Sequence, residues 1–543
     1  MLPCVIFEDE YLLVVNKPPG WNTHAPSPYA GEGIYDWFRQ REAGWSKLAI
    51  IHRLDKETSG VMVFSKTALA NRSLTEQFTS REVRKKYLLL TDRLPRQKHL
   101  TIKSCLVRAG GKYVSRPMHA GGEVAETRFE VVGQKLEPPC VGFYEIQAEP
   151  LTGRTHQIRV HAAEGGFPIL GDQLYGGAAA ARVYLHATEL RLKHPATAEA
   201  VTFHAPVNFE MDYKFLLRAA FLEPELTNAY RLIHGASDGC PGLYVDKLAD
   251  FVLSQSEAAL TNDQETGLIR LKKMTGARGV YHKTLIRHAR RTAVAEASPQ
   301  LTEGEAATER FVIRENGLEF ELSFSEGYSF GLFLDQRDSR RRLLTGHVAA
   351  EFDLPWAGTL APPASKISEP SQILNAFAYT CGFSVCAAKA GARTTSIDLS
   401  RKYLEWGKRN FLLNGIDPAA HDFIYGDVFD WLRRLAKKQR QFDIILLDPP
   451  TFSQSKESGI FRAEKDYSKL VTLAVPLLKR NGVLFASTNA SDWMTEDFLN
   501  VLKSTIQTSK RKILRLQFFP QPPDFPITRQ ERAYLKTAWL QID

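Results

Sequence analysis

Four aspartates in this chain of 543 residues sit where a carboxylate can do chemistry. Asp55 lies in His52–Gly60, HRLDKETSG, a polar, charge-rich turn between the apolar runs Leu48–Ile51 and Val61–Phe64. A turn between strands presents such an acid at a rim, and the neighbouring Arg53 is expected to keep it ionised. Composition alone favours a plain loop salt bridge there. In the second half, Asp398 ends a strand-like run in Thr394–Leu399 (TTSIDL) and Asp427 closes Tyr425–Asp427 (YGD). Asp448 opens Asp448–Pro450 (DPP) behind Phe442–Leu447 (FDIILL). An acid that ends a strand can accept both hydroxyls of a ribose. Taken singly, it is more often a helix cap. Pro449 and Pro450 stiffen their turn, so the Asp448 carboxylate or nearby carbonyls can be held against a substrate.

The elements that carry these acids differ between the two halves. Up to about Lys214 the sequence shows short β-type runs with helical stretches such as Ala68–Thr79. Examples are Tyr11–Asn16 (YLLVVN), before a Lys-Pro-Pro-Gly turn, and Gly60–Ser65 (GVMVFS). This predicts an α+β domain over residues 1–215. The pattern lapses around Leu216–Asn228, where a boundary is placed. A small central α+β segment follows over 229–312. Its basic stretch holds Lys272, Lys273, Arg278, Lys283, Arg287, Arg290 and Arg291, and reads as a solvated face or an RNA-contacting one. Leu354–Pro370, with Pro355, Pro362, Pro363 and Pro370, reads as an exposed loop. Over 313–543, strand-like Ile373–Phe377 (ILNAF), helical Ser384–Ala390, TTSIDL, FDIILL and Gly482–Ser487 (GVLFAS) alternate. The strands are apolar enough to be buried on both faces, which predicts a parallel, doubly wound, Rossmann-like α/β sheet. The chain is therefore read as multidomain.

Apolar residues at 44% and charged residues at 24% describe an ordinary globular protein, and no apolar stretch is long enough to span a bilayer. Met1–Glu10 lacks the features of a signal peptide, so a cytoplasmic protein is expected. Cys4, Cys105, Cys140, Cys240, Cys381 and Cys386 form no CxxC pair. That argues against zinc and against a disulfide framework, and no metal is expected. The net charge of +9 suits a partner with a phosphate backbone.

Asp55 does not stand alone. Leu151–His161 reads LTGRTHQIRVH and Pro168–Gly176 reads PILGDQLYG. With HRLDKETSG and Lys85–Tyr87, these motifs resemble the RluA-type pseudouridine synthases over roughly residues 5–210. The resemblance implies a pseudouridine synthase fold that isomerises uridine in RNA. It implies that Asp55 is the essential aspartate and that Tyr87 stacks under the flipped uracil or acts as a base. It further implies that Arg159 pairs with Asp55 and that Arg53 takes the place of the extruded base. Arg154, in the same motif as Arg159, joins Arg53 as an RNA contact. The reaction breaks the bond from C1′ to N1, turns the uracil and rejoins it through C5. Nothing is oxidised or reduced, so no cofactor is expected in this half. A carboxylate serves as nucleophile, or as partner of a cation-like sugar. His52, His156 and His161 are read as structural. Many such synthases carry an RNA-binding domain ahead of the catalytic one. Here the catalytic fold begins almost at once, so RNA choice is expected to come from the fused second half.

Asn375–Phe383, NAFAYTCGF, follows a strand and precedes a helix, where class I methyltransferases wrap the methionine end of S-adenosylmethionine (SAM). It lacks GxGxxG, which argues against NAD. Leu374–Gly382, Ser400–Gly415 (SRKYLEWGKRNFLLNG), Leu447–Lys456 (LDPPTFSQSK) and the lead-in Gly331–Arg337 (GLFLDQR) form an ordered set. They resemble bacterial large-subunit rRNA methyltransferases of the RlmKL/RlmI kind over about residues 229–543. The resemblance implies SAM as cofactor, bound by Asn375, Phe377, Tyr379, Thr380, Gly382, Asp398 and Asp427, the last at the adenine amino group. It implies catalysis around Asp448, Pro449 and Pro450. The implied partner is RNA, 23S rRNA or a ribosome-assembly intermediate, with no membrane.

Methylation at cytosine C5 needs a cysteine nucleophile. Relatives of that kind place it after the strand that follows the DPP loop. Here that place reads Ala486–Ala490 (ASTNA), and no cysteine follows Cys386. DPPTFSQSK instead resembles the guanine-N7 half of two-domain guanine methyltransferases. Guanine N7 is therefore favoured over 5-methylcytosine and N2-methylguanine. A non-catalytic RNA-binding assembly protein is the competing class; intact Asp55, Tyr87, Arg159 and Asp448 speak against it. A small-molecule methyltransferase fused by accident is disfavoured by the paired RNA-type domains.

Overall fold

The computed structural model describes residues 2–135, 142–285, 297–327, 329–356, 369–455 and 459–543. The chain divides, in the main between Glu223 and Pro224, into two compact units.

In the first unit the described strands are β1 (Val5–Glu8), β2 (Leu12–Lys17), β3 (Ala49–Ile50), β4 (Ser59–Ser65), β5 (Arg84–Thr91), β6 (His99–Ala109), β7 (Lys112–Arg116), β8 (Glu123–Gln134), β9 (Tyr144–Pro150), β10 (Leu185–Lys193) and β11 (Ala200–His204). They form one sheet in the order β1-β2-β4-β10-β5-β9-β8-β6-β7, with β3 on β4 and β11 on β10. Leu12–Val15 and the whole of β4 are buried, as continuous apolar runs must be when both faces are covered. The helix Ala68–Thr79 begins at Thr67, whose Oγ1 accepts the Ala70 N–H at 3.2 Å.

One row of residues crosses this sheet. Gly60 on β4 faces Ala187 on β10, Ala187 faces Tyr87 on β5, and Tyr87 faces Ala148 on β9. The row fixes how the Asp55 loop, which runs into β4, stands to Tyr87. Only glycine fits the first place. Its φ is +119°, and a Cβ there would come within 2.2 Å of the Ala187 carbonyl oxygen.

In the second unit, β12 (Ala229–His234), β13 (Leu243–Leu248), β14 (Phe251–Ser256), β15 (Gly279–Thr284) and β16 (Gln300–Gly304) form a sheet in chain order. β14 and β15 are parallel and joined through the helix Asn262–Met274, which opens on a capping box of Thr261 and Gln264. The hairpins β17 (Phe311–Glu315)–β18 (Leu318–Leu322) and β19 (His347–Ala349)–β20 (Phe352–Asp353) come next. Then follow β21 (Gln372–Ala376), β22 (Arg393–Asp398), β23 (Asp422–Tyr425), β24 (Phe442–Leu447), the hairpin β25 (Phe452–Ser455)–β26 (Gly459–Arg462), β27 (Leu478–Thr488), β28 (Ile513–Phe519) and β29 (Lys536–Ile542).

The larger sheet has the order β23-β22-β21-β24-β27-β29-β28. Its first five strands are parallel and β29 runs against β27. The chain order reverses at β21, between β22 and β24. Sheets of this type bind ligands at the carboxyl ends of the strands at such a point. NAFAYTCGF leaves from β21 and DPP from β24, so both loops meet at that crevice.

The central segment shares this compact unit with residues 313–543. Buried charges join the two. Arg231 binds Asp246 at 2.6 Å and its backbone N–H donates to Asp524 at 2.9 Å. Both terminal nitrogens of Arg337 also donate to Asp524. Removing one partner of such a buried pair strands the other charge, so these contacts hold the β12–β13 hairpin firmly to the chain after β28. The basic stretch is largely engaged where it is described. Lys272 pairs with Glu303 at 3.2 Å, Arg278 with Glu305 at 2.8 Å, and Lys283 is buried. Lys273 is exposed, so the face combines paired and solvated cations. Arg287, Arg290 and Arg291 lie outside the described residues, as do residues 357–368 of the proline-rich stretch. Among the described residues, no helix is long and apolar enough to cross a membrane, and no group of His, Cys, Asp and Glu is arranged to hold a metal.

Candidate active sites

In the first unit Asp55 lines a cleft of about 830 Å³, together with Tyr87, Arg53, Arg154 and Arg159. Asp55 Oδ2 lies 3.7 Å from Arg159 Nη1 and 4.0 Å from His156 Nε2. Arg159 is carried on the helix Gln157–Glu164. Its Nε and Nη2 donate to the two oxygens of the buried Asp172, at 2.7 and 2.8 Å. This bidentate grip fixes the guanidinium plane and leaves Nη1 turned to Asp55. Burial works to lower the Arg159 pKa, but the Asp172 hydrogen bond and charge outweigh it and raise it.

Arg53 is exposed and, among the described residues, makes no ion pair with Asp55. The cation expected beside Asp55 is therefore Arg159. The loop before β4 has no regular structure, so adjacency in sequence sets no side-chain direction there, whereas Arg159 is fixed by its helix and by Asp172. Arg154 is half-buried and its Nη1 donates to Glu123 at 3.2 Å.

Tyr87 is buried. Burial, and after it the Asp55 charge, raise its phenol well above the ordinary tyrosine value. A phenol held protonated suits the stacking role better than the role of a base. His52 accepts the Val63 N–H at 3.2 Å, stacks on Phe78 at 4.8 Å and is pushed down to about 3 by burial. His161 sits between Ser104 and Thr127. These partners suit the structural role read for both. His156 differs from them in standing beside Asp55. It has a left-handed φ of +56°, its Nδ1 lies 2.8 Å from the Tyr175 hydroxyl, and its Nε2 faces Asp55.

Two residues of this site escaped the sequence reading. Asp172 is one. The other is Lys17, fully buried, whose Nζ donates to the carbonyls of Pro18, Trp21 and Lys56 at 3.0, 2.6 and 3.2 Å. It ties the Lys-Pro-Pro-Gly turn to the residue after Asp55. A lysine closing an otherwise apolar strand was the available signal.

In the second unit, three non-glycine residues of NAFAYTCGF have positive φ: Phe377 at +64°, Tyr379 at +50° and Cys381 at +62°. Each such residue costs on the order of 1 kcal/mol or more, so the surroundings must impose the shape. They do so at several points. Asp398 Oδ2 accepts the Tyr379 N–H at 2.8 Å, Thr380 Oγ1 donates to the Gly331 carbonyl at 2.6 Å, and Asn410 Nδ2 donates to the Thr380 carbonyl at 3.0 Å. The helix Gly382–Lys389 then starts under the loop. Asn375 is fully buried and donates to Ser384 Oγ at 2.9 Å, while its Oδ1 has no partner. An orphaned buried acceptor beside a strained loop fits a ligand that brings its own donors, as the SAM ammonium and hydroxyls do.

Asp398 is half-buried, and burial raises its pKa although two backbone N–H groups, of Tyr379 and Ser400, hydrogen-bond to it. The helix cap there is Ser400, not Asp398. The capping reading belongs instead to Asp427, whose Oδ1 accepts the Asp430 N–H at 3.0 Å at the start of Val428–Lys437. Its assignment to an adenine amino group is thus complicated by work it already does. Asp427 nevertheless lines a pocket of about 330 Å³ with Phe377, Leu399, Phe429 and Phe461, large enough for part of a nucleoside.

Asp448 is half-buried at the end of β24. Burial pushes its carboxyl up to about 6, with the Asp335 charge adding to it; the hydrogen bonds of Ser487 and Gln336 work the other way. Gln336 Nε2 donates to Asp448 Oδ1 at 3.1 Å and to Ser487 Oγ at 2.7 Å. Tyr467 bonds the carbonyls of Leu447 and Ser487, pinning β24 to β27. Pro449 is buried and Pro450 exposed. GLFLDQR therefore enters the site itself: Gln336 orients Asp448, and Phe333, half exposed at 50%, lies 5.3 Å from the Tyr379 ring. The sequence reading took that motif only as a lead-in. Within Ala486–Ala490, the stretch searched for a cysteine in the sequence, Ser487 is buried and bonded to Gln336. Cys381 Sγ is packed against Gly407, where a Cβ would come within 2.4 Å of it, and burial pushes its thiol up to about 12.

Comparisons with known proteins agree with this division. Residues 11–164 match the RNA pseudouridylate synthase family, and residues 365–538 match the S-adenosylmethionine-dependent methyltransferase family. A ribosomal RNA large subunit methyltransferase of Deinococcus radiodurans is 31% identical over 345 residues, which are 61% of this chain and 78% of that protein. Ribosomal RNA large subunit methyltransferase I of Aeromonas salmonicida is 28% identical over 407 residues, 73% of this chain and 92% of the other. The crystal structure of SMU.776, a methyltransferase complexed with SAH, superposes with a TM-score of 0.50 at 27% identity, over 66% of this chain and 88% of that one.

Proposed function

The chain belongs to the ribosomal RNA large subunit methyltransferase family and carries a pseudouridine synthase domain ahead of its SAM-dependent methyltransferase domain, and on that premise we propose that it modifies 23S ribosomal RNA twice, isomerising a uridine and methylating a guanine at N7. It would act in the cytoplasm on ribosomal RNA or on an assembly intermediate.

For the isomerase, the supporting observation is Asp55 facing Arg159 in the cleft that Tyr87 also lines. Asp55 would meet C1′ of a flipped nucleotide as the bond to N1 breaks and its electron pair leaves with the uracil. Tyr87 offers a ring on which the freed base turns. The bond from C5 to C1′ then forms, the C5 proton is lost, and N1 regains a proton. The changes at C1′ and C5 cancel, so the isomerisation needs no outside oxidant or reductant and no cofactor is invoked.

For the methyltransferase, the observation that supports the guanine reading is that the end of β27, Ala486–Ala490, carries no cysteine and presents Ser487 instead, bonded to the Gln336 that also holds Asp448. SAM supplies a methyl group on a positively charged sulfur when bound. Asn375, Asp398 and the loop from Phe377 to Gly382 would hold it, and Asp427 borders the adjoining pocket. Guanine N7 carries no proton, so its methylation needs no base and no covalent help, only a base held in line. Asp448, fixed by Gln336 and followed by two prolines, is suited to that holding.

Two results are expected here. Asp398→Ala should weaken SAM binding by about 2 kcal/mol, the scale of lost hydrogen bonds to a charged group. Isothermal calorimetry on the full chain reads this; an unchanged affinity would leave Asp398 as a support of the loop alone. Cys381→Ser should retain most methyl transfer, because the thiol is packed against Gly407 and protonated. Nucleoside analysis of the modified RNA should then give 7-methylguanosine. Either 5-methylcytidine in the digest or complete loss of transfer would restore the cytosine reading.

A further inference from the structure

Lys85 precedes Tyr87 by two residues on β5, so both side chains leave the same face of the sheet, and both line the Asp55 cleft. The lysine is half-buried. Among the described residues its ammonium makes no hydrogen bond and no ion pair. Its nearest ring is Phe78, at 5.8 Å. It stands beside Gly153, where a Cβ would be in ordinary contact with Nζ at 3.5 Å, so a residue without a side chain borders the charge.

Other cations of this wall are handled differently. Arg159 has Asp172, Arg154 has Glu123, and Lys56 has Glu32. Arg53 and Arg81 are exposed and can be solvated. Lys85 alone among these is partly desolvated without a counter-charge, and burial accordingly lowers its pKa. Such a group is unfavourable in the free protein. It becomes favourable if the missing anion arrives with the substrate. Uridine itself is neutral; the anion that an RNA strand brings is the phosphate on either side of it.

We propose that Lys85 binds a backbone phosphate flanking the target uridine and so draws the flipped nucleotide into the cleft. This rests on the reading of that cleft as the pseudouridine synthase site. In that role Lys85 is a substrate-binding residue, distinct from Asp55, which meets the reacting carbon. The phosphate oxygens would meet the ammonium inside the cleft that Lys85 and Gly153 both line.

The test uses the full chain and a short synthetic RNA spanning the uridine that the wild-type enzyme modifies, labelled with tritium at C5. Two further RNAs each carry one uncharged methylphosphonate, on the 5′ or the 3′ side of that uridine. Lys85→Met should raise KM about tenfold with little change in kcat, and should flatten the slope of log KM against log salt by about 0.7, the share of one phosphate on a single strand. Lys85→Arg should largely restore KM. One of the two methylphosphonates should raise the wild-type KM by a similar factor and add nothing to Lys85→Met. Equal losses by Lys85→Met on all three RNAs, a fall in kcat alone, or an unchanged KM would overturn the proposal. An unchanged kcat for tritium release, together with recovery of KM in Lys85→Arg, shows that a change is not one of folding. A wild-type enzyme that releases no tritium from ribosomal RNA overturns the synthase reading itself, and the proposal with it.

Discussion

Asp55→Asn should abolish pseudouridine formation, by at least about 10³-fold, the scale seen when the key group of a covalent or electrostatic mechanism is removed. The amide keeps the size and shape of the carboxylate, so the cleft should survive. What is lost is the carboxylate that Arg159 Nη1 approaches at 3.7 Å and that is proposed to meet C1′. Arg159 should stay in place, because its two shorter bonds go to Asp172. Methyl transfer should remain at the wild-type rate. Tritium release from C5-labelled RNA and methyl incorporation from labelled SAM, measured on one preparation, read both activities. Near-normal tritium release by the mutant would remove Asp55 from the mechanism; a parallel loss of methylation would mean the protein had unfolded.

The second large effect is expected at Asp448. Asp448→Asn should reduce methyl transfer roughly 10²-fold, as expected when a reacting group is displaced by about 1 Å. Gln336 Nε2 donates to the carboxylate, and an amide in its place can turn a second donor toward the first. The wild-type activity should also depend on pH with a definite sign. The Asp448 carboxyl is raised to about 6, so the ionised form is lost as pH falls through that value, and methyl transfer should fall with it. Stability runs the other way. A carboxyl raised above its unfolded value favours the folded state while protonated, and that contribution is lost as pH rises from about 4 through about 6. Above pH 6 the asparagine variant, which cannot ionise, should therefore melt no earlier than the wild type. A flat methylation profile between pH 5 and 8, or a variant that melts well below the wild type at pH 8, would count against a charged positioning role.

The strands were legible because long apolar runs admit few alternatives. YLLVVN, GVMVFS and FDIILL became β2, β4 and β24 with ends within one residue of those expected. The loops that carry the acids were legible because their residues form compact motifs. Side-chain direction in irregular segments was not. Arg53 is adjacent to Asp55 in sequence, yet the cation at the carboxylate comes from a helix a hundred residues later. Asp427, read as a ligand, also caps a helix while lining a pocket, and Asp398, weighed as a cap, braces a strained loop. Both lie at strand ends, and only the direction the chain takes next separates them. Gln336 and Asp172 were missed for a different reason. Their partners, Asp448 and Arg159, are fixed by strand order and helix placement rather than by any local pattern. The pairing of Arg231 and Arg337 with Asp524 spans some 290 and 190 residues, and no periodicity records contacts of that range.

The row from Gly60 through Ala187 to Tyr87 also bears on how chains of this kind can change length. One residue inserted in β4, β10 or β5 would turn every later side chain of that strand to the opposite face. It would carry Tyr87 out of the cleft, or drive a side chain into the space that Gly60 leaves for the Ala187 carbonyl. The turn at Gly110–Gly111 between β6 and β7 has no such constraint, since nothing lies within 4 Å of where either Cβ would stand. Insertions and deletions among descendants of this sequence should therefore collect at that hairpin tip and be purged from the three inner strands. The same asymmetry marks where a peptide tag or fluorophore can be spliced in without silencing the isomerase.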